Sequence, residues 1–178
     1  EQRDFLARDV ARATSAAPTY FEPAKLTSKA GETSCYVDGG VFANNPAMAA
    51  VVSGRWLYPE VSHEKYCVLS LGTGSMEREI PYEEAKDFGL LGWARRVISV
   101  MMSGNSETVD YQMKEIGEAF KFHYLRLEVD LGKEQTDTSV NDDFDDASPA
   151  NLRALQQLAD ELVARNESEL GEFIDNLK

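Results

Sequence analysis

The chain has 178 residues, 43 % of them hydrophobic and 10 % aromatic, which is enough for one domain with a packed core and excludes wholesale disorder or a fibrous architecture. Its 31 acidic and 18 basic side chains give a formal net charge of -13. This balance disfavours a general nucleic-acid binder, because contacts to phosphate require clustered Lys and Arg.

Apolar periodicity and turn residues predict alternating helices and strands. In chain order, helices are expected over 6–17, 46–56, 88–102, 107–120, 149–162 and 170–177, and strands over 34–37, 66–71 and 122–129. Ser148 is the expected N-cap of the helix that begins at Pro149. The apolar run at 66–71 suits a strand buried on both faces of a sheet. This order indicates an α/β domain with a largely parallel sheet, in which ligands bind in the loops after strands, here those after Val37 and Leu71.

The two cysteines, Cys35 and Cys67, both fall in apolar runs that resemble strands, and they form no C-x-x-C pair. Buried free thiols are therefore favoured over the alternative, a disulfide. Free thiols in turn favour a reducing compartment.

The loop after the first predicted strand reads D-G-G-V-F-A-N-N-P. It places the carboxylate of Asp38 at a strand end, beside Gly39 and Gly40, which tolerate close backbone approach. A carboxylate in that position can act as a general base, or it can brace the loop by accepting backbone N–H bonds. Spacing alone leaves both roles open.

Three ordered motifs carry a family resemblance: A-R-A-T-S-A-A-P-T-Y-F at 11–21, then Y-V-D-G-G-V-F-A-N-N-P, then L-S-L-G-T-G. Together they resemble the second half of a patatin-like phospholipase. The resemblance implies a three-layer α/β/α sandwich with a mainly parallel sheet, no cofactor and no metal. It also implies hydrolysis of lipid acyl esters by a Ser-Asp dyad without a catalytic His, and Asp38 matches the family's base. Asn44 and Asn45 are the expected side chains that hold this loop.

The family's glycine-rich oxyanion loop and its G-x-S-x-G nucleophile elbow are not found in these residues. Ser70 comes closest, but its motif V-L-S-L-G lacks the first Gly and falls within a predicted strand. We therefore expect residues 1–178 to be the C-terminal portion of one catalytic domain, inactive without the missing N-terminal half as its partner. The alternative is a noncatalytic binding or regulatory module on the same scaffold.

Other polar motifs do not define a ligand site. The run L-G-T-G-S lacks the G-K-S/T ending of a P-loop and the third Gly of a dinucleotide fingerprint. The acidic cluster at 142–146 lacks the Gly and distal Glu of an EF-hand, which favours a solvated loop ahead of a helix. Neither His63 nor His123 has metal ligands at a suitable spacing.

The segment 88–102 is apolar almost all round, and such a helix is usually buried. The alternative is a flap beside the acyl site that contacts lipid chains and head-group phosphates. Its lipid-contacting side chains would be Leu90, Leu91, Trp93, Arg95 and Arg96. The expected partner is thus a lipid or membrane-surface substrate and not a nucleic acid. The protein itself is expected to be cytoplasmic or peripheral to a membrane, and to come from a bacterium.

Overall fold

The computed structural model describes residues 4–75, 80–132, 140–141, 143 and 145–177, with only the backbone described at 94 and 95. The strands are β1 (Ala24–Thr27), β2 (Thr33–Tyr36), β3 (Cys67–Leu71) and β4 (His123–Leu127). The helices are α1 (Ala7–Thr14), α2 (Gly40–Ala43), α3 (Ala47–Leu57), α4 (Tyr82–Ala85), α5 (Gly89–Phe120), α6 (Pro149–Arg165) and α7 (Glu167–Asp175), with a short 3-10 turn at His63–Lys65.

The N-terminal part is a β hairpin packed against α1. Strands β1 and β2 pair antiparallel, with Ala24 opposite Tyr36. Small side chains form the contact with α1, since Ala13, Ala16 and Ala24 are buried together. Strand β1 was not predicted from the sequence, because its four residues are too few to give a clear period-2 pattern.

The predicted parallel pairing is found between β3 and β4, in a register from Cys67 opposite His123 to Leu71 opposite Leu127. Helix α5 makes the crossover between the two strands, as expected for parallel neighbours. A core around Met113 and Phe122 joins α5 and β4 to the start of α3. The architecture is thus mixed α/β with a parallel sheet, which confirms the predicted fold class.

Helix α6 packs in a separate apolar cluster. Ser148 caps α6 by accepting the amide of Asn151 over 3.3 Å, and Pro149 is the first helical residue, so this predicted helix start is confirmed. Leu158 is almost completely buried and packs with Val129 from the segment after β4.

Three expectations about local structure are wrong. The predicted helices at 88–102 and 107–120 form one continuous helix, α5. Strand β3 is not buried on both faces, because Leu69 and Leu71 are 41 % and 66 % exposed. Cys35 is exposed and Cys67 half-buried, so the free thiols are less buried than their apolar neighbours suggested.

Within the described residues, no helix combines the length and the apolarity needed to cross a bilayer.

Candidate active site

Asp38 begins a loop that is anchored to the end of α1. Its amide donates to the carbonyl of Ala16 over 3.0 Å, and the amide of Gly39 donates to the carbonyl of Thr14 over 3.1 Å. The backbone of Gly39 also lies close to α1, since a Cβ there would be 2.7 Å from Thr14 Oγ1. The first two residues of the D-G-G motif are thereby fixed against α1.

The Asp38 carboxylate is half-buried and turns back over its own loop. Its Oδ1 accepts the amide N–H of Gly40 over 2.6 Å, and a Cβ at Gly40 would come within 2.9 Å of the same oxygen. This bond fixes the direction of the carboxylate. Because an ionised carboxylate offers about four lone-pair sites, one bond to the loop leaves capacity for accepting a proton from a substrate or nucleophile.

The far end of the loop is anchored to the middle of α5. The amide of Asn44 donates to Asn105 Oδ1 over 3.0 Å, and Asn44 Nδ2 donates to the carbonyl of Met102 over 3.3 Å. Asn45, which is only 3 % exposed, donates from Nδ2 to the carbonyl of Ser106 over 3.3 Å. Both asparagine side chains therefore bind the loop to α5.

Between these two anchors, α2 presents apolar side chains to solvent. Val41 is 59 % exposed and Phe42 is 87 % exposed. These large apolar side chains form an exposed apolar patch beside the Asp38 carboxylate.

The glycine loop after β3 is filled by a side chain of the protein itself. The Glu128 carboxylate accepts the amide of Gly74 over 3.0 Å, and a Cβ at Gly72 would lie 2.0 Å from Glu128 Oε1. Only a glycine at position 72 leaves room for that carboxylate. A phosphate would compete with Glu128 for the same amide, which argues against a nucleotide-binding role for this loop.

Ser70 is not presented as a nucleophile. It lies in β3 with only 7 % of its surface exposed, and its Oγ accepts a hydrogen bond from Arg126 Nη1 over 2.8 Å. Arg126 and Glu128 are not among the site residues predicted from the sequence. Their signal was two charged residues interrupting the otherwise apolar alternation of the strand predicted at 122–129.

The five residues proposed for lipid contact belong to the first turns of α5, away from the residues that anchor the Asp38 loop. Leu90 and Leu91 are 86 % and 85 % exposed, so the first turn of the helix is not buried. Trp93 packs edge-on against Phe88, with ring centroids 5.5 Å apart, and the guanidinium of Arg96 lies 4.5 Å above the same ring. The side chain of Arg95 lies outside the described part of the chain.

This apolar end of α5 is distant from the loop anchor. Leu91 precedes Met102 by 11 residues, which is about 16 Å along a helix at ~1.5 Å per residue. The exposed leucines and the residues that anchor the Asp38 loop therefore lie on one long helix, about three turns apart, and they do not line one pocket.

The histidines and acidic residues form no metal centre among the described residues. His63 packs against the rings of Tyr66 and Phe120, and His123 Nδ1 pairs with Asn176 Nδ2 over 3.2 Å. In the acidic segment, hydrogen bonds from Ser148 and Asn141 lower the pKa of Asp146. Asp142 lies outside the described residues.

Comparison with known proteins gives a consistent result. A family model described as "Patatin-like phospholipase" matches residues 1–51. Patatin-like protein 8 and Patatin-like protein 6 of Arabidopsis thaliana are both 33 % identical, over 173 and 174 residues, which cover 93 % of this chain and 33 % and 34 % of those proteins. The Solanum tuberosum protein named "Probable inactive patatin-3-Kuras 1" is 28 % identical over 179 residues, or 90 % of this chain and 46 % of that protein. The chain thus spans between about a third and a half of the length of these curated relatives.

Proposed function

This chain is patatin-like in sequence over 93 % of its length, and from that premise we propose that the intact protein is a serine-dependent lipid acyl hydrolase of the phospholipase A or lysophospholipase type. Asp38 is the general base of its Ser-Asp dyad. The observation that carries this proposal is the Asp38 carboxylate itself, aimed by the Gly40 amide within a loop that is anchored at both ends. The proposal assigns the nucleophilic serine and the oxyanion loop to sequence outside these 178 residues, so that the chain supplies the C-terminal portion of one catalytic domain.

In the proposed reaction, Asp38 accepts the proton of the serine hydroxyl as the serine oxygen attacks the ester carbonyl. The same carboxyl then returns the proton to the departing alcohol, and an acyl-serine remains. Water then attacks the acyl-serine while Asp38 takes its proton, and the carboxyl returns that proton to the departing serine oxygen as the fatty acid is released. Both histidines are occupied in contacts elsewhere, His63 with aromatic rings and His123 with Asn176, which agrees with a base other than imidazole.

The direct test replaces Asp38 in the intact protein. We expect Asp38→Asn to lower ester hydrolysis by ~10² to 10⁴, the usual contribution of general-base catalysis. Asp160→Asn, at an exposed position on α6, is the matched control and should retain full turnover. Near-normal hydrolysis by a folded Asp38→Asn variant would remove Asp38 from the mechanism.

A noncatalytic module is the second candidate, because one relative bears the name of an inactive patatin. The coding sequence upstream of Glu1 discriminates the two: a G-x-S-x-G motif supports the enzyme, and a start codon directly before Glu1 supports the module.

Residues 1–178 by themselves should neither hydrolyse a short-chain ester nor react with a fluorophosphonate serine probe. Labelling together with turnover that the probe blocks would place the nucleophile within this segment and contradict the proposal.

Contact with a lipid surface through the start of α5 belongs to the same proposal. The exposed Leu90 and Leu91 supply apolar surface, and the cation of Arg96 lies one to two turns further along. Leu90→Glu should weaken sedimentation of the intact protein with phospholipid vesicles while leaving hydrolysis of a water-soluble ester unchanged. Loss of soluble-ester hydrolysis together with the loss of vesicle binding would indicate a packing role for Leu90 instead.

A further inference from the structure

Arg126 is a largely buried cation that makes polar contacts with three other residues. It lies on β4, opposite Ser70 of β3, and its side chain is 12 % exposed. Nη1 donates to Ser70 Oγ over 2.8 Å, and Nη2 donates to Ser106 Oγ over 3.3 Å and pairs with the carboxylate of Glu128. One guanidinium therefore joins both strands of the parallel sheet to helix α5.

The part of α5 that Arg126 contacts is the part that holds the catalytic loop. Met102, Asn105 and Ser106 stand at helix positions i, i+3 and i+4, so they share one face. Each of them accepts a hydrogen bond from Asn44 or Asn45 at the end of the loop. Ser106 is the shared residue, because its carbonyl accepts from Asn45 while its hydroxyl accepts from Arg126.

The other side of Arg126 leads to the glycine loop. Glu128 pairs with Arg126 through Oε2 and accepts the amide of Gly74 through Oε1. Its carboxylate occupies the space that the missing side chain of Gly72 leaves open. Arg126 is thus connected, through one residue on each side, to the D-G-G loop and to the L-G-T-G loop.

We propose that Arg126 is a positioning residue for catalysis, which sets the place of the Asp38 carboxylate by holding Ser106 and, through it, the Asn44–Asn45 end of the loop. The inference rests on the proposed function. The planar guanidinium suits this task, because it donates in several fixed directions at once, whereas an ammonium group is a single flexible point charge. A base that moves by a fraction of an ångström loses much of its effect on kcat, since catalysis requires a near-attack geometry.

The decisive variant in the intact protein is Arg126→Lys, which retains the charge beside Glu128 but not the fork that reaches Ser70 and Ser106. We expect Tm to stay within a few degrees of the wild type, kcat for a soluble ester to fall about tenfold, and KM to change less than twofold. A purely structural role predicts that a variant with a normal Tm also has a normal kcat. A wild-type kcat in a stable Arg126→Lys variant would therefore overturn the inference.

Ser106→Ala provides a second route that does not disturb the charge pair. It should lower kcat by a similar or smaller factor. The kcat of the double variant should be no lower than that of the less active single variant, because both substitutions break the same connection. Independent, multiplying effects would contradict a shared pathway, and so would an unaffected Ser106→Ala enzyme. Arg153→Lys, on the exposed face of α6, is the matched control and should leave kcat unchanged.

Hydrogen exchange separates this inference from the proposed function. In Arg126→Lys, the amides of 40–50 should exchange faster, while those of the β1–β2 hairpin keep their wild-type rates. Faster exchange with an unchanged kcat would overturn the positioning role even though the contacts exist. Full turnover in Asp38→Asn would instead contradict the proposed function, whatever the Arg126 variants show.

Discussion

Gly40→Ala is a small change that should separate activity from stability. The Cβ of an alanine at this position would lie 2.9 Å from Oδ1 of Asp38, 3.6 Å from Oδ1 of Asn44 and 3.8 Å from the terminal methyl of Met102. Only the first of these distances is shorter than ordinary van der Waals contact. The new methyl group would therefore act on the Asp38 carboxylate and on little else.

The size of the effect follows from that distance. The carboxylate oxygen must retreat by about 0.5 Å to reach ordinary contact at 3.4 Å, and this lengthens or bends its 2.6 Å bond to the Gly40 amide. Because a misplacement of ~1 Å can cost ~10² in rate, we expect kcat to fall about tenfold. The free energy of unfolding should rise or stay unchanged. Gly40 begins α2 without a positive φ, and alanine at a compatible helical position contributes ~0.4 to 1 kcal/mol through the unfolded state.

The assay is steady-state hydrolysis of a soluble ester by the intact protein, with Tm measured on the same preparation. Gly54→Ala in α3 and Gly104→Ala in α5 are matched controls, because a Cβ at either position would meet no described heavy atom within 4 Å apart from its chain neighbours and the backbone of its own helix. Both should keep full activity with equal or higher Tm. Full activity in Gly40→Ala would refute the assignment of Asp38 as a positioned base, and a fall in activity accompanied by a large drop in Tm would refute the geometric explanation.

Three further predictions concern stability. Gly72→Ala should lower the free energy of unfolding by ~1 to 3 kcal/mol in urea titrations, since the new Cβ expels the Glu128 carboxylate from its bond to Gly74; a neutral result would mean that Glu128 relocates without loss. Ser148→Ala should cost ~0.5 to 2 kcal/mol through the lost N-cap of α6, and Ser148→Asp should restore it. Burial, followed by the hydrogen bond to Asp110, raises the pKa of Tyr124 from 10.0 to about 12. Neutral Tyr124 therefore stabilises the fold below pH 10 and loses this contribution as pH rises toward 12. Tyr124→Phe should flatten that alkaline decline, and an unchanged slope would contradict the raised pKa.

Local chemistry determined several features from sequence alone. The alternation of helices with apolar runs predicted an α/β fold with a parallel sheet, because neighbouring parallel strands need a long crossover connection, which is usually a helix. The start of α6 followed from Ser148 and Pro149, whose capping and dihedral preferences act within one helical turn. The Asp38 loop stood out because an acidic residue followed by two glycines at a strand end is a local pattern.

Long-range contacts decided what the sequence pattern could not. Residues 103–106 read as a break between two helices, since Ser, Gly and Asn there have low helix propensity. The helix nevertheless runs through them, because Asn105 and Ser106 use their polar groups to bind the Asn44–Asn45 end of the loop, about 60 residues earlier in the chain. Similarly, Arg126 resembled an ordinary charged residue in a strand until pairing with β3 and packing against α5 placed Ser70, Ser106 and Glu128 around its guanidinium. Helix propensity and capping depend on neighbouring residues in the sequence. The environment of a buried cation depends instead on which distant segments the fold brings next to it.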